Sequence, residues 1–318
     1  MKVLVTGGAG YIGSHVVLAL CEEGNNVVVL DDLSTGNREA VDKRALFIQG
    51  STLNDDDLSN GLNDVDAVIH LAAFKAAGES MIHPEKYSHN NITGTITLLN
   101  AMVKHGVNKF IFSSSSAVYG NPQYLPLDEN HPLEPINYYG FTKLEIERIL
   151  EWYGELKGLR FAALRYFNAA GYDSLGRITS LENNPENLIP IVMEVASGRR
   201  KKMEVFGDDY DTDDGTGVRD YIHVTDLATA HVKCIEYLNE NTSLTVNLAT
   251  GESHSVMDII NLTKEISGRD IPFDIVDRRP GDPAKLYAST NQAFKALNWE
   301  AEYSDLKTLL ETTWKVYQ

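Results

Sequence analysis

Tyr139 and Lys143 are the two residues of this sequence whose types and spacing most clearly suggest chemistry. They stand four positions apart, and the LEIERILEWYGEL that follows them has the spacing of a helix. Side chains four positions apart share one helical face, so the phenol and the ammonium should lie close together. Free tyrosine has a pKa of about 10, and a nearby cation lowers that pKa by favouring the phenolate. The pair therefore predicts a tyrosine that acts as a base near neutral pH.

A pattern as short as Tyr-x-x-x-Lys arises by chance on many helices, so the first thirty-one residues matter as much. A β-branched run, Lys2–Thr6, leads into a turn with glycines at positions 7, 10 and 13. A helical pattern and a second apolar run follow, and that run ends in Asp31. Glycines let the backbone approach a pyrophosphate at a helix start, and the acid accepts the adenosine ribose hydroxyls. The unit predicts bound NAD, because Asp31 and Asp32 would repel the 2′-phosphate of NADP.

Polar residues lie where the fifth predicted strand ends, in the run Ser113-Ser114-Ser115-Ser116. The carboxyl ends of parallel strands open into the crevice where ligands bind. The run is compatible with a strand exit that simply favours hydroxyls. Its position about two dozen residues before Tyr139 instead favours a Ser–Tyr–Lys constellation.

Alternating strands and helices must position these groups. Strands are predicted at 2–6, 26–31, 45–48, 67–72, 109–113 and 160–166, and helices at 84–105 and around Tyr139. Nearly continuous apolar strands joined by helices indicate a parallel sheet covered on both faces. The fold class is therefore α/β, a Rossmann-type doubly wound parallel sheet. Further strands are predicted at 203–206, 221–224, 244–248 and 272–276, and helices near 187–197, 225–239, 255–267, 290–297 and 304–317.

The change in texture after residue 166 predicts two domains. Residues 1–170 are expected to bind NAD, with a return of the chain to this domain near 219–249. Residues 171–318 are expected to form a smaller mixed α/β domain that binds the substrate. The polar segment 172–187 reads as a loop or a lid.

Composition is that of a large-cored protein in a reducing compartment. The 318 residues are 43% hydrophobic, and no apolar run is long enough to span a bilayer. A first strand at residue 2 leaves no room for a signal peptide, so a cytoplasmic location is expected. Cys21 and Cys234 lie in helical apolar patterns and read as buried hydrophobes. The net charge of −17 disfavours nucleic acid and anionic membranes as partners, and the nine histidines show no spacing that predicts a metal site.

Three motifs in the second half of the chain carry a resemblance to known enzymes: LRYFN at 164–168, YDTDDGTGVRDYIHV at 210–224 and RRPGD at 278–282. With the amino-terminal unit and the Tyr–Lys pair, they make the chain resemble the extended short-chain dehydrogenases/reductases and, among these, the UDP-glucose 4-epimerase family. The resemblance runs from Val3 to about Trp299.

The resemblance implies roles for individual residues. Ser115, Tyr139 and Lys143 would be catalytic, with Lys143 also on the nicotinamide ribose. The implied NAD contacts are Gly7, Gly10, Tyr11, Ile12, Gly13, Asp31, Lys75, Asn90, Tyr139, Lys143 and Phe167. The implied contacts to the UDP-sugar are Ser115, Asn168, Asn187, Phe206, Arg219, Arg279, Asp282 and Leu286. Ser51 departs from the family, which usually has an aspartate there that contacts adenine.

The implied reaction interconverts UDP-galactose and UDP-glucose through a transient 4-keto sugar. Leu286 would wall the pocket beside the C2 substituent; leucine is intermediate in size, so partial tolerance of UDP-N-acetylglucosamine is expected. A homodimer through helices 84–105 and 137–157 is also implied.

Three other classes share parts of this pattern. A sugar-nucleotide 4,6-dehydratase usually has an acidic pair directly after the catalytic hydroxyl residue, where this chain has Ser116 and Ala117. A net dehydrogenase that releases reduced nicotinamide remains open. A non-enzymatic NAD sensor would be expected to lose Ser115, Tyr139 or Lys143, and the chain keeps all three.

Overall fold

The structure, a computed structural model, describes residues 1–182, 185–279 and 281–318. Its centre is a parallel sheet of seven strands in the order β11-β6-β5-β4-β1-β2-β3. This confirms the predicted doubly wound α/β fold. The strands of the described residues are β1 Lys2–Thr6, β2 Asn26–Asp31, β3 Leu46–Gln49, β4 Ala67–His70, β5 Lys109–Ser113, β6 Arg160–Tyr166, β7 Asn168–Ala170, β8 Met203–Phe206, β9 Val218–Arg219, β10 Tyr221–His223, β11 Ser243–Leu248, β12 His254–Ser255, β13 Phe273–Val276 and β14 Lys285–Leu286.

Helices cover both faces of this sheet. Alternate residues of β1 serve the two layers: Val3 and Val5 pack with α1 and α8, and Leu4 packs with α5 and α6. The helices are α1 Tyr11–Glu22, α2 Asp55–Gly61, α3 Ala77–Ser80, α4 Pro84–Tyr87, α5 Gly94–His105, α6 Tyr138–Lys157, α7 Leu188–Ala196, α8 Val224–Glu240, α9 Val256–Ser267, α10 Asn291–Leu297 and α11 Leu306–Tyr317.

The strand order reverses beside β1, which pairs with β2 on one side and β4 on the other. In open parallel sheets the crevice at such a reversal is where ligands bind. The chain leaves the sheet after β6 and returns to it as β11, which pairs with β6 over six residues from Ser243 to Leu248. In the second half of the chain, the described residues form three small sheets: β10-β7, β12-β9-β14 and β13-β8. The predicted boundary between domains remains a prediction.

The helix predicted at 84–105 is interrupted. A π-helical segment, Ser88–Thr93, separates α4 from α5. Inside it the buried side chain of Asn91 accepts from the Phe74 N–H at 2.9 Å and donates to the Phe74 carbonyl at 3.0 Å. Wider turns of this kind often occur at functional sites. Here the widened turn lets a side chain bond the loop that follows β4.

One further difference from the prediction is local. Helix α2 was missed because its sequence is almost wholly polar; Asn54 caps it by accepting from the N–H groups of Asp56 and Asp57. The segment 172–187 is irregular in its described part, as predicted. Asn183 and Asn184 of that segment, and Pro280 of the RRPGD motif, lie outside the described residues.

Candidate active site

Helix α6 presents Tyr139 and Lys143 to the end of β5. Asn137 caps the helix by accepting from the Gly140 N–H at 2.8 Å, and the Tyr139 N–H donates to Ser80 Oγ at 3.0 Å. Lys143 is 2% exposed, and its Nζ donates to the Ser113 carbonyl at 2.6 Å. The same Nζ lies 5.7 Å from the centre of the Tyr139 ring. The phenol of Tyr139 and the amine of Lys143 therefore lie close together, as predicted.

Burial dominates the protonation of both groups. Burial raises the pKa of Tyr139 to about 12, and the nearby Ser115 side chain opposes this only in part. Burial lowers the pKa of Lys143 to about 7, opposed by the nearby carboxylate of Glu147. The lowering of the Tyr139 pKa by Lys143 remains a prediction, since burial is the largest influence on that pKa in the protein chain. A buried amine that itself loses its charge near neutrality is a weak local cation.

The serines at the end of β5 form hydrogen bonds with different partners. Ser113 hydrogen-bonds the Tyr166 hydroxyl. Ser114 donates to Glu147 Oε1 at 2.5 Å. Ser115 caps the short 3-10 helix that follows by accepting from the Ala117 N–H at 3.2 Å, and its side chain also reaches Tyr139. The structure thus brings Ser115, Tyr139 and Lys143 together at the carboxyl end of one strand.

The glycine turn has the shape that a dinucleotide phosphate needs. Gly7 has φ of 72°, and a Cβ added there would lie 2.5 Å from the Ala72 nitrogen, at the exit of β4. A Cβ at Gly13 would lie 2.1 Å from the Gly7 carbonyl oxygen. Gly10 caps α1 and has no side chain to occupy the N–H groups of the first turn. These N–H groups can therefore receive a phosphate.

Asp31 ends β2 beside this turn. Its carboxylate is 8% exposed and accepts from the N–H groups of Ala9 and Leu33, both at 2.9 Å. Burial raises the pKa of Asp31, while the two N–H donors oppose that shift. Its placement at the strand end next to the glycine turn fits an adenosine ribose. Together the turn and the acid fit NAD.

The other predicted cofactor contacts lie in several different local environments. Tyr11 donates its hydroxyl to the Gly171 carbonyl at 2.5 Å, and Ile12 packs against the core. Lys75 is mostly exposed and forms an ion pair with Glu182. Asn90 lies in the π-helical segment and donates to Asn91 Oδ1 at 3.1 Å. Phe167 packs beside Val118, Tyr119 and Leu127.

The Ser51 departure has a structural counterpart in α2. The Ser51 N–H donates to Asp57 Oδ2 at 2.9 Å, and its hydroxyl accepts from the Leu53 N–H at 3.2 Å. A carboxylate therefore still lies at the exit of β3, supplied by the helix rather than by the strand. Sequence analysis missed Asp57 because it sits in the helix that was not predicted.

Four of the predicted substrate residues lie on or beside β9: Arg219, Asp282, Leu286 and Asn168. Arg219 Nη2 pairs with Asp282 Oδ1 at 2.5 Å, and Leu286 of β14 is the strand partner of Arg219. The Arg279 guanidinium lies 3.9 Å from the centre of the Phe206 ring. Asn168 opens β7, where its amide donates to the Asp220 carbonyl at 2.9 Å, and Asn187 precedes α7. No contact among the described residues links Asn187 directly to the others.

A buried ion pair lies close to the predicted catalytic groups. Arg165 of β6 grips Glu147 with two bonds, Nη2–Oε2 at 2.6 Å and Nε–Oε1 at 3.0 Å, with both side chains about 95% buried. Burial alone lowers the pKa of Arg165, but the Glu147 carboxylate raises it above its usual value. Arg165 Nη1 also donates to the Tyr119 hydroxyl at 3.1 Å. Sequence analysis missed this pair, although two signals were visible: an acid four positions after Lys143 and an arginine inside an apolar strand.

Comparison with known proteins decides the family. The family model for the NAD dependent epimerase/dehydratase family matches residues 3–249. This chain belongs to that family. It is 46% identical over 318 residues to a UDP-glucose 4-epimerase of Halalkalibacterium halodurans, covering 99% of this chain and 95% of that protein.

Solved structures of the family agree with this assignment. The crystal structure of UDP-glucose 4-epimerase from Brucella ovis in complex with NAD has a TM-score of 0.97, at 44% identity, with 99% of this chain and 98% of that chain covered. The enzyme from Bifidobacterium longum, solved with NAD+ and UDP, has a TM-score of 0.94 at 38% identity, with 99% and 98% covered. The NAD dependence predicted from the glycine turn is confirmed by the family.

Within this epimerase/dehydratase family, the residues after Ser115 bear on the type of reaction. Ser116 and Ala117 form the first turn of the short helix that follows β5. A hydroxyl and a methyl group cannot supply the acid and base that expulsion of water requires. In the part of the chain that the structure describes, His, Cys, Asp and Glu side chains form no group of three suited to a metal ion. A search of the same residues finds no helix with the length and apolarity of a membrane span.

Proposed function

We propose that this protein interconverts UDP-galactose and UDP-glucose by inverting the configuration at C4 of the sugar. The observation that carries the proposal is the meeting of Ser115, Tyr139 and Lys143 beside a dinucleotide turn, in a chain 46% identical to a UDP-glucose 4-epimerase over almost its full length. Acid–base chemistry alone cannot invert an unactivated carbon that bears a hydroxyl. Oxidation of C4 to a ketone makes that carbon planar, and reduction from the other face inverts it.

Tyr139 is the base in this scheme and Ser115 its partner. The Tyr139 phenolate takes the proton of the C4 hydroxyl, and Ser115 donates a hydrogen bond to the forming carbonyl oxygen. Bound NAD would supply the hydride acceptor and donor for C4 and a positively charged nicotinamide, and Gly7, Gly10, Gly13 and Asp31 would hold it. Lys143 adds to that positive charge only while it is an ammonium. Since burial alone keeps the Tyr139 pKa at about 12, phenolate formation depends on these cations.

The residues around β9 hold the nucleotide in this proposal. Guanidinium groups suit phosphate oxygens, so Arg219 and Arg279 grip the diphosphate, with Asn168 and Asn187 beside it. Phe206 and Asp282 belong to the uridine side of the site. Inversion requires the 4-keto sugar to turn over between the two hydride transfers. Binding energy placed on the UDP group, and not on the hexose, permits that rotation.

The site is proposed to lie between an NAD-binding part, residues 1–170, and a UDP-sugar-binding part, residues 171–318. Gly7, Asp31 and Tyr139 belong to the first part, while Arg219 and Asp282 belong to the second. The return strand β11 and helix α8 attach residues 224–248 to the large sheet. This connection stabilises the position of β9, just before α8, relative to β5.

The deciding experiment incubates the purified protein with UDP-galactose and no added reductant. Chromatography should show UDP-glucose, with the equilibrium reached from either sugar and no accumulation of reduced nicotinamide at 340 nm. A steady rise at 340 nm would instead identify a net dehydrogenase. A keto-deoxy product would identify a dehydratase, and the absence of any product would contradict the proposal.

Leu286 is proposed to set the breadth of sugar acceptance. The side chain is partly buried and packs with the cluster of Val118, Tyr119 and Leu127 at the site wall. We expect slow turnover of UDP-N-acetylglucosamine, with Leu286→Tyr abolishing it and leaving UDP-galactose turnover within about threefold, since one extra ring fills the space beside C2. Undetectable turnover of the N-acetyl sugar by the unmodified protein would contradict this expectation.

A homodimer, working in the cytoplasm, completes the proposal. Helices α5 and α6 expose large apolar side chains: Val103 at 43%, Trp152 at 61% and Leu156 at 66%. Exposed apolar groups on adjacent helices mark an interaction surface. Light scattering on the purified protein distinguishes a dimer of about twice the chain mass from a monomer.

A further inference from the structure

Helix α6 carries a third functional group on the face of Tyr139 and Lys143. Glu147 follows Lys143 by four residues, as Lys143 follows Tyr139, so the three side chains lie one above another. Lys143 and Glu147 are both buried, at 2% and 5% exposure. Burying a carboxylate is costly unless it is paired and hydrogen-bonded. A buried acid directly behind the catalytic pair therefore needs a reason.

The end of strand β5 faces these three side chains of α6 and contacts each of them. The Ser115 side chain reaches Tyr139, and the Ser113 carbonyl accepts from Lys143 Nζ at 2.6 Å. Between these two residues, the Ser114 hydroxyl donates to Glu147 Oε1 at 2.5 Å. Glu147 thus binds Ser114, and the two sequence neighbours of Ser114 contact the proposed base and the amine.

Arg165 fixes the carboxylate that does this. It binds Glu147 through two bonds, of 2.6 and 3.0 Å, from the adjacent strand β6. A bidentate guanidinium–carboxylate pair has one preferred geometry, so Glu147 has little freedom to move. The end of β5 is therefore held at a defined position along helix α6.

We propose that Glu147, locked by Arg165, is a positioning residue for the epimerisation: its bond to Ser114 sets the place of Ser115, and its carboxylate lies one turn of α6 from Lys143 as the acidic neighbour of that amine. The inference rests on the proposed function. Ser114 is the residue through which Glu147 positions the site. It lies in the chain directly between Ser113, whose carbonyl binds Lys143, and Ser115, whose side chain reaches Tyr139.

The effect of Glu147 on the pKa of Lys143 has a definite sign. Burial lowers the pKa of Lys143 to about 7, and Glu147 is the group that opposes it. Removing the carboxylate charge would lower that pKa further and leave the Arg165 cation without its partner. The ammonium would then be lost at a lower pH. Among the described residues, Lys143 lies near Tyr139 and Glu147 on α6 and interacts with His70 on β4. One contact further away on β6, Arg165 is bonded to Glu147 and Tyr166 interacts with Tyr139.

Three variants test the two parts separately. Glu147→Gln removes the charge and keeps the shape, Glu147→Asp keeps the charge, and Ser114→Ala removes only the hydroxyl. Glu151→Gln is the matched control, because Glu151 is an exposed acid one turn further along α6. All are purified with their nicotinamide and assayed with UDP-galactose from pH 6 to 10.

Glu147→Gln is expected to lower kcat about 10- to 100-fold with a change in KM below about threefold. Its alkaline limb should move to lower pH by about one unit. Glu147→Asp should keep the limb in place. Ser114→Ala should lower kcat without moving the limb, and Glu151→Gln should match the wild type.

A second readout does not use activity. Lysine labelled with ¹³C at Cε, with the Lys143 signal assigned by its absence in Lys143→Met, gives the pKa of Lys143 directly. That pKa should fall in Glu147→Gln and not in Glu151→Gln. A soluble Glu147→Gln protein with an unchanged kcat and an unchanged Lys143 pKa overturns the inference.

If Glu147→Gln does not fold, Ser114→Ala decides: an unchanged kcat overturns the inference, and a lowered kcat at constant KM supports it. Failure of the proposed function would appear differently. The wild type would then not convert UDP-galactose, while the Lys143 titration would still report whether Glu147 sets its charge.

Discussion

At the scale of the residue, the site depends on buried groups whose protonation the surrounding protein opposes. Burial moves Tyr139 and Lys143 toward their neutral forms, with pKa values of about 12 and about 7. The proposed reaction needs both in their charged forms. Such shifts, with a specific charge partner, are typical of functional sites. Here they mean that base strength appears only when further positive charge lies beside the phenol.

The first prediction concerns the phenol. Tyr139→Phe removes the proton acceptor and keeps the ring, so turnover of UDP-galactose should fall by about 10²-fold or more. Nicotinamide retained per protomer should be unchanged. Tyr138→Phe is the matched control, because Tyr138 is the neighbouring tyrosine and its hydroxyl is bonded to Ser88 Oγ at 2.6 Å instead. Equal activity of the two variants would reject Tyr139 as the base.

At the scale of the element, helix α1 and its glycine turn can bind a phosphate through backbone N–H groups, because the glycines have no side chains that would keep the phosphate away. Gly7, Gly10 and Gly13 bring the exit of β1 against the exit of β4 and leave the first N–H groups of α1 uncovered. Helix α6 has the opposite role, since it supplies side chains every fourth residue. Helix α1 follows β1, beside which the strand order of the sheet reverses, and α6 presents its side chains to the end of β5.

A prediction at this scale tests the turn. Gly13→Ala would force a Cβ to 2.1 Å from the Gly7 carbonyl oxygen, so the turn must open. We expect loss of retained nicotinamide and a lower Tm, measured on the protein as purified. Gly78→Ala is the control, because a Cβ at Gly78 meets no atom within 4 Å. Full nicotinamide retention in Gly13→Ala would show that the turn does not hold the phosphates.

At the scale of the whole molecule, burial of ionisable groups links stability to pH. Burial lowers the pKa of four histidines below the usual 6.5, to about 3 for His70 and to about 4 for His15, His223 and His231. Below pH 6.5 the unfolded chain therefore binds protons that the folded chain does not. Stability should fall as the pH drops from 6.5 toward 4.

His231 provides the corresponding prediction. Its Nδ1 contacts the Leu227 carbonyl at 2.7 Å, and its buried Nε2 has no partner among the described residues. His231→Asn can keep the bond to Leu227 without a titrating ring, so the free energy of unfolding should depend less steeply on pH between 6.5 and 4. Urea unfolding at several pH values measures the slope. His105→Asn, at an exposed position, is the control; equal slopes in the two variants would contradict the assignment.

Much of the fold was predictable because local patterns and tertiary packing agree. The apolar runs of β1, β2, β5 and β6 were predicted at their observed bounds, since strands buried on both faces are continuous in sequence. Helix α2 was not predicted, because it is polar and depends on its Asn54 cap. The π-helical turn before α5 was not predicted either, since it depends on a buried bond between Asn91 and Phe74, distant in sequence.

The sequence by itself determined the dinucleotide turn, the acid at the end of β2 and the Tyr–Lys spacing, because each depends on residues that are close along the chain. Only the tertiary structure decided how those groups are charged and held. The grip of Arg165 on Glu147, the bond of Glu147 to Ser114 and the burial that shifts Lys143 all join different elements. Protonation depends on the dielectric and on neighbours in space, and these exist only once the chain is packed.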